Sequence, residues 1–318
     1  MKRVFCAAAA LALCGTASAQ EFSIGTFNTY WAFDDEAPHL NWRDRRADET
    51  YQETLEELAA TILEIDADIL ALQEVENAKV VNDLANLLRQ QGLDYQHVFV
   101  GEGLDPFTGQ NVAVLSKFPA IIKPVLRYPY ALEDYQDDRT GAPRIAALPK
   151  LMRVDFDVEG KIVTIFAAHL KSQRGGETAE EERLAQTRMV RRMARAVAEK
   201  GDSRSPSYVA IVGDLNDDVG TPTLRSLRGL HDGSYDFQQT TRSIEESERY
   251  THIYCPWQQR LEDGSCRPEA EEREQLDHVL ASYFLDQVMI SAEIVRVDNE
   301  VSDHDAVKVV FNLTPDEG

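Results

Sequence analysis

The segment Tyr208-Val209-Ala210-Ile211-Val212-Gly213-Asp214-Leu215-Asn216 constrains the fold more than any other stretch of the chain. A short apolar run closed by glycine reads as a strand buried on both faces, as in sheets covered by helices. Gly213 turns the chain and presents an acid, Asp214, and an amide, Asn216. In open α/β sheets the ligand crevice lies beyond such strand ends. Alone, an Asp-x-Asn turn is a common loop former. Four further strand ends carry polar groups of matching kind: Asn28, Glu74, His169 and the pair Asp303-His304.

The remaining elements alternate between strand and helix patterns. Residues 21–27 are β-rich and end at Asn28, ahead of the aromatic residues Tyr30, Trp31 and Phe33. Leu55, Leu58, Ala59, Ile62 and Leu63 fall on one face of a helix expected over 41–64. Arg43, Arg45 and Arg46 stand at its start, where the helix dipole disfavours cations. Either the helix begins near Asp48 or the arginines have a separate purpose. Residues 68–75 form a second buried strand closed by Glu74. A buried carboxylate there requires a salt bridge or a hard metal ion. Val80, Val81, Leu84, Leu87 and Leu88 mark the next helix.

Strands are expected near 96–100, 111–116 and 121–127, then a long polar loop over 128–150 containing Arg139 and Arg144. Residues 151–158 and 162–168 form a hairpin across Glu159-Gly160, and His169 follows it. Lys171, Arg174 and two glycines come next, which suits a loop facing an anion. A helix over 178–199 carries Ala185, Met189, Met193 and Val197 as a core stripe. Thr221-Pro222 opens a short helix. Residues 231–274 are irregular and acidic, and strands are expected over 275–282, 288–297 and 306–311. The pattern is that of one α/β domain.

Residues 1–19 read as a secretory signal, with Lys2 and Arg3, an apolar run over 4–13, and Ala17-Ser18-Ala19 before the cleavage point. The apolar run is too short to span a bilayer, so stable membrane insertion is not expected. Export to the periplasm or the medium is. Cleavage removes Cys6 and Cys14, and Cys255 and Cys266 are expected to join in a disulfide pinning the 231–274 insertion. Zinc is the alternative for that pair, with His252 as a third ligand, but no fourth donor lies nearby. The net charge is −22, and loss of two basic residues with the signal takes it to −24. This sign opposes general nucleic-acid binding, which depends on Lys and Arg, so a polyanion would require a local basic cleft or metal ions.

The donors gathered at the strand ends define the chemistry. Asn28, Glu74, Asp214, Asn216 and Asp303 are oxygen donors suited to Mg2+, Mn2+ or Ca2+. His169 and His304 suit acid/base work or phosphate contact. A Gly-x-Ser-x-Gly turn and a His-Glu-x-x-His helix are both absent from the sequence, so serine acyl transfer and zinc proteolysis lack their parts.

In this order the motifs resemble the endonuclease/exonuclease/phosphatase superfamily, which includes pancreatic-type deoxyribonuclease, abasic-site endonucleases, neutral sphingomyelinases and inositol-polyphosphate phosphatases. They are Thr26-Phe27-Asn28, Leu72-Gln73-Glu74-Val75, Ala113-Val114-Leu115-Ser116-Lys117-Phe118-Pro119, Ala168-His169-Leu170-Lys171-Ser172, Gly213-Asp214-Leu215-Asn216, Leu276-Asp277-His278-Val279-Leu280 and Ser302-Asp303-His304. With the closing strand they span the mature chain. Each is common singly; the ordered set is specific.

The resemblance implies a four-layer α/β sandwich, two packed mixed sheets flanked by helices, as a single domain over 20–318. It implies that Glu74 holds a divalent metal, with Asn28 and Asp303 close by. It implies that His304, oriented by Asp277, contacts the scissile phosphate. Asp214 positions or deprotonates the attacking water, Asn216 hydrogen-bonds phosphate or water, and His169 lies on the other side of the phosphate. Mg2+ is the expected ion, with Mn2+ or Ca2+ as alternatives. Abasic-site endonucleases usually carry Tyr where this chain has His169, whereas secreted deoxyribonucleases and sphingomyelinases carry His. With Lys171, Arg174 and Arg144 as candidates for flanking phosphates, the resemblance favours an exported, monomeric phosphodiesterase acting on DNA. The alternatives are a hydrolase of small phosphate esters or phospholipid head groups, and a non-catalytic exported binding module.

Overall fold

The computed structural model describes residues 20–34 and 50–313, except 104, 106, 256, 260 and 262–265. The expected signal at 1–19 and Arg43, Arg45 and Arg46 lie outside the described residues. In chain order the first half contains β1 (Gln20–Ala32), α1 (Tyr51–Ile65), β2 (Ile69–Val75), α2 (Ala78–Gln90), β3 (His97–Val100), β4 (Asn111–Ser116), β5 (Leu132–Gln136), β6 (Pro143–Ala147) and β7 (Leu151–Val158). Then come β8 (Lys161–His169), α3 (Glu177–Ala198), β9 (Tyr208–Asp214), α4 (Pro222–Leu227), β10 (Phe237–Gln239), β11 (His252–Tyr254), β12 (Glu272–Glu274), β13 (Asp277–Ser282), α5 (Tyr283–Gln287), β14 (Met289–Val295) and β15 (Ala306–Leu313).

Two mixed sheets form the centre, ordered β14-β15-β1-β2-β4-β3 and β10-β13-β9-β8-β7. In each, one inner pair is parallel: β1 with β2, and β8 with β9. The alternation of side chains explains why these strands are apolar on both faces. Ile69 and Ala71 of β2 point between the sheets, where they meet Val154, Ile165, Ala210, Val212 and Val279. Leu70 and Leu72 point outward against Leu58 and Ile62 of α1 and Val81 and Leu84 of α2. Val209 and Ile211 of β9 point outward against Met189 and Val190 of α3 and Leu224 of α4. The order of layers is helix, sheet, sheet, helix, the four-layer α/β sandwich expected. Among the described residues no helix is long and apolar enough to cross a membrane.

Local sequence sets the helix ends. Thr50 Oγ1 accepts from the Glu53 amide, and the Glu53 carboxylate accepts from the Thr50 amide at 2.9 Å, a reciprocal cap. The first helical residue is therefore Tyr51, later than either start considered from the sequence. Thr221 Oγ1 caps α4 by accepting from the Leu224 amide, ahead of Pro222.

Three expectations need correction. Residues 121–127 form no strand, only isolated bridges at Ala120↔Phe156 and Val125↔Arg153. Pro119 and Pro124 withhold the amides a ladder requires. The long loop over 128–150 contains the β5–β6 ribbon, in which Gly141 has φ 67°. The ribbon packs on α3 through Tyr135 and Ala146, contacts that hydropathy alone does not signal. The 231–274 insertion is more regular than a loop, since β10 extends the second sheet and β11 pairs with β12. Its pinning disulfide is present, Cys255 to Cys266 with Cα atoms 5.7 Å apart, which removes the zinc alternative.

Candidate active site

Three strands of the second sheet place His169, Asp214 and Asp277 in one row, because Asp214 is in register with His169 of β8 and Asp277 of β13. Gly213 makes this row possible. Its φ is 138°, and a Cβ there would lie 1.8 Å from the Ala168 carbonyl oxygen, so only glycine lets β9 pass β8 this closely. Asn216, with φ 55°, folds back so that its amide donates to Asp214 Oδ1 at 2.9 Å and its side chain donates to the Leu170 carbonyl at 3.2 Å.

The first sheet contributes from the facing edge. Both β1 and β2 lose register at the same level, between Asn28 and Ala32 and between Gln73 and Val75. β1 therefore does not end at Asn28; it bulges through Tyr30 and Trp31, at φ 50° and 63°, and continues to Ala32. Glu74 is the bulged residue of β2, at φ 62°. Paired bulges re-aim side chains beside functional sites, and a non-glycine residue in the left-handed region stores strain there. Asn28 spans the two sheets, its Nδ2 donating to Asp214 Oδ2 at 3.0 Å. Ser302 Oγ donates to the Asn28 carbonyl at 2.8 Å and accepts from the His304 amide at 3.1 Å. His304 Nδ1 meets Asp277 Oδ2 at 2.7 Å, and its Nε2 lies 3.9 Å from Asp214 Oδ2. His169 Nε2 approaches the same oxygen from the other side at 3.5 Å.

Burial and charge together set the protonation states. Burial pushes the Asp214 carboxyl up to about 7, opposed by His304 and reinforced by Asp277 and Glu74. Burial also opposes a charge on His304, yet Asp277 and Asp214 hold its pKa well above the usual imidazole value. His169 is driven well below that value by burial and by the charge of Lys150. Desolvation, then Asp303, raises the Glu74 carboxyl.

The donor set fits a hard divalent cation. Glu74 Oε2 is buried with no hydrogen-bond partner. Such an orphaned oxygen is costly unless a further group, such as a cation, meets it. Asp303 acts electrostatically on Glu74, and the Asn28 side-chain amide donates a hydrogen bond to it, so a second carboxylate and an amide stand near this acid. Asp214, Asp277 and His304 also offer ligand atoms within 4.8 Å of one another. Asn28 and the Asn216 amide engage the Asp214 oxygens and His304 engages Asp277 Oδ2, while Asp277 Oδ1, like Glu74 Oε2, is buried with no hydrogen-bond partner.

The candidate cations surround this centre less closely. Lys171 Nζ donates to the carbonyls of Ser172 and Arg174 at 3.5 and 3.2 Å, and Arg174 is exposed. Arg144 pairs with Asp137 of its own ribbon at 3.1 Å. Lys171 and Arg144 both act electrostatically on Glu182 of α3. Sequence reasoning missed Lys150. Its ammonium lies 3.1 Å from Gln110 Oε1 and 3.4 Å from Asp105 Oδ2, and its charge acts on both Glu74 and His169. A lone lysine at the start of β7 carries no sequence signal of that position. Arg183, buried on α3, was likewise missed. It donates to Asp217 at 3.0 Å and to the Lys171 carbonyl at 3.2 Å, tying the loop after His169 to the loop after Asp214.

The sequence profile described as "Endonuclease/Exonuclease/phosphatase family" matches residues 25–304, and the chain belongs to that family. Its members are typically metal-dependent phosphoesterases. Among solved structures, an endonuclease/exonuclease/phosphatase from Beutenbergia cavernae is similar at 20% identity and TM-score 0.59, over 92% of this chain and 72% of that one. Truncated Caenorhabditis elegans TDP2 is similar at 17% identity and TM-score 0.55, over 92% and 98%. A Staphylococcus aureus beta toxin is similar at 15% identity and TM-score 0.55, over 91% and 99%. These are likenesses of fold. No curated protein matches the sequence significantly.

Proposed function

We propose that this chain is an exported, monomeric phosphodiesterase that uses a divalent metal to hydrolyse nucleic acid, with DNA cut internally as the favoured substrate. The observation that carries the reading is the convergence, at one edge of two sheets, of the His304–Asp277 pair with Asp214 and the orphaned Glu74 oxygen. In this reading Glu74, Asn28 and Asp303 hold Mg2+, or Mn2+ or Ca2+ in its place. The ion supplies charge neutralisation at the phosphate oxygens. His304, kept cationic by Asp277 and Asp214, donates a hydrogen bond to the scissile phosphate. Asp214 orients the attacking water and takes its proton, a role suited by its raised proton affinity. Asn216 holds the Asp214 carboxylate in place and offers its amide edge to water or phosphate. His169, neutral, closes the opposite side.

Support for a nucleic-acid substrate comes from Lys171 and Arg174 on the loop after His169, and from Arg144, whose charge like that of Lys171 acts on Glu182; these would hold flanking phosphates. The net charge of −22 favours a second reading, a smaller phosphate ester or a phospholipid head group, because repulsion of a short anion is weaker. The test is hydrolysis by the mature chain with each metal against a chelator. Supercoiled plasmid, linear duplex, single strands, RNA, sphingomyelin and nucleoside monophosphates are compared. Metal-dependent nicking of plasmid is the expected outcome. Release of phosphate or phosphocholine with every polynucleotide intact would move the function to the second reading.

A further inference from the structure

His252 stands outside every motif that organises the site, yet the insertion delivers it to the catalytic imidazole. The disulfide occupies both neighbouring thiols, so His252 is not part of a thiolate metal site. Its backbone bridges that of His304 in antiparallel fashion, and the two rings lie 5.1 Å apart at a tilt of 40°. The placement is fixed by the preceding residue. Thr251 Oγ1 accepts from the amides of Leu276 and Asp277, each at 3.0 Å, and the Thr251 carbonyl accepts from the Asp305 amide at 2.7 Å. Thr251 thus joins the strand that holds Asp277 to the turn that holds His304.

His252 also has its own carboxylate. It is in register with Glu274 across the β11–β12 ribbon, with Nδ1 3.7 Å from Glu274 Oε2. Glu274 Oε1 accepts from Gln173 Nε2 at 3.2 Å, so the loop after His169 closes on the same carboxylate. The nearby His252 imidazole, then the hydrogen bond from Gln173, holds the Glu274 carboxyl below its usual range. As in the pair of His304 and Asp277, the Nδ1 side of the imidazole faces an acid, at 3.7 Å here against 2.7 Å there. Two such pairs side by side form a double donor of the kind that recognises a phosphate anion, through charge-assisted hydrogen bonds.

We propose that His252 is a further substrate-contacting residue, whose Nε2 edge hydrogen-bonds the phosphate group bound beside His304 while Glu274 holds the ring; this rests on the reading that His304 meets the scissile phosphate. The insertion then supplies part of the binding site, and the role is particular to chains that carry an imidazole at this point of it.

The test compares the wild type with H252F, H252Q and H304A. H252F keeps a ring packed on His304 and removes both nitrogens; H252Q keeps a donor and removes the ring. KM and kcat are read for Mg2+-dependent plasmid nicking, with inhibition by inorganic phosphate as a binding readout. H252F is expected to raise KM and weaken phosphate inhibition by about tenfold each, the loss of one hydrogen bond to an anion, with kcat nearly unchanged. H252Q is expected to recover most of that loss. In metal-free wild-type protein, inorganic phosphate is expected to shift the imidazole resonances of His252, a readout independent of any variant. Wild-type KM and phosphate inhibition in H252F would overturn the proposal, as would a fall in kcat alone, which would mean that the ring merely buttresses His304. If H304A is inactive while H252F is unimpaired, the His252 proposal fails by itself. Full activity in H304A would remove the underlying reading and the proposal together.

Discussion

A methyl group at Gly213 would enter the space of the Ala168 carbonyl, and no side-chain movement can relieve a clash between two backbones. G213A is expected to lose about 3 kcal/mol or more of stability, read as the denaturation midpoint, because φ and contact are both unfavourable. The histidines offer a second test at this scale. In metal-free protein, imidazole NMR is expected to show His304 still protonated at pH values where His169 and His278 are neutral. The stability consequences have opposite signs. The raised value of His304 contributes stability below the unfolded imidazole pKa and loses it as pH rises through the folded value. The lowered values of His169 and His278 contribute above the unfolded pKa and lose it as pH falls through theirs. At this scale the sequence reveals residues that sit in motifs. Lys150 and His252 reach the site only through strand pairing across distant segments, which no local pattern encodes.

Strand ends are the working elements of this fold, and the paired bulges of β1 and β2 show how they are aimed. The sequence pattern locates both strands, since each is apolar on two faces, but a bulge depends on the neighbouring strand and leaves no trace in hydropathy. The same reason accounts for the β5–β6 ribbon, whose exposed Leu132 and Ile145 and part-buried Glu133 blur the alternation. The expected strand over 121–127 differs in the opposite way, because Pro119 and Pro124 withhold ladder amides that its apolar content cannot replace. The insertion is the element with the clearest prediction from chain length alone. Its disulfide closes a segment with a sequence separation of 11. Replacing both cysteines by serine is expected to lower the unfolding free energy by about 2–3 kcal/mol on the loop-closure relation, measured by chemical denaturation. An unchanged midpoint would mean that Thr251 and the β11–β12 pairing hold the insertion without it.

Across the whole molecule, the site is the place where stability is given up. Glu74 is a desolvated carboxylate with an unpartnered oxygen and a left-handed backbone, so the metal-free protein is expected to gain thermal stability from E74Q. Mg2+ is expected to raise the unfolding temperature of the wild type and to do so much less in E74Q, since only ligands that bind the folded state stabilise it. The acidic surface sets a second molecular-scale constraint, because a net charge of −22 leaves substrate attraction to the cleft and its ion. The most direct measurement of the central claim is plasmid hydrolysis by the wild type, E74Q and H304A, each with Mg2+ and with a chelator. Metal-dependent cleavage by the wild type and a loss of about a thousandfold or more in each folded variant is the expected result, given the weight of metal and preorganised donors in phosphoryl transfer. Undiminished turnover in either variant would contradict the site described here.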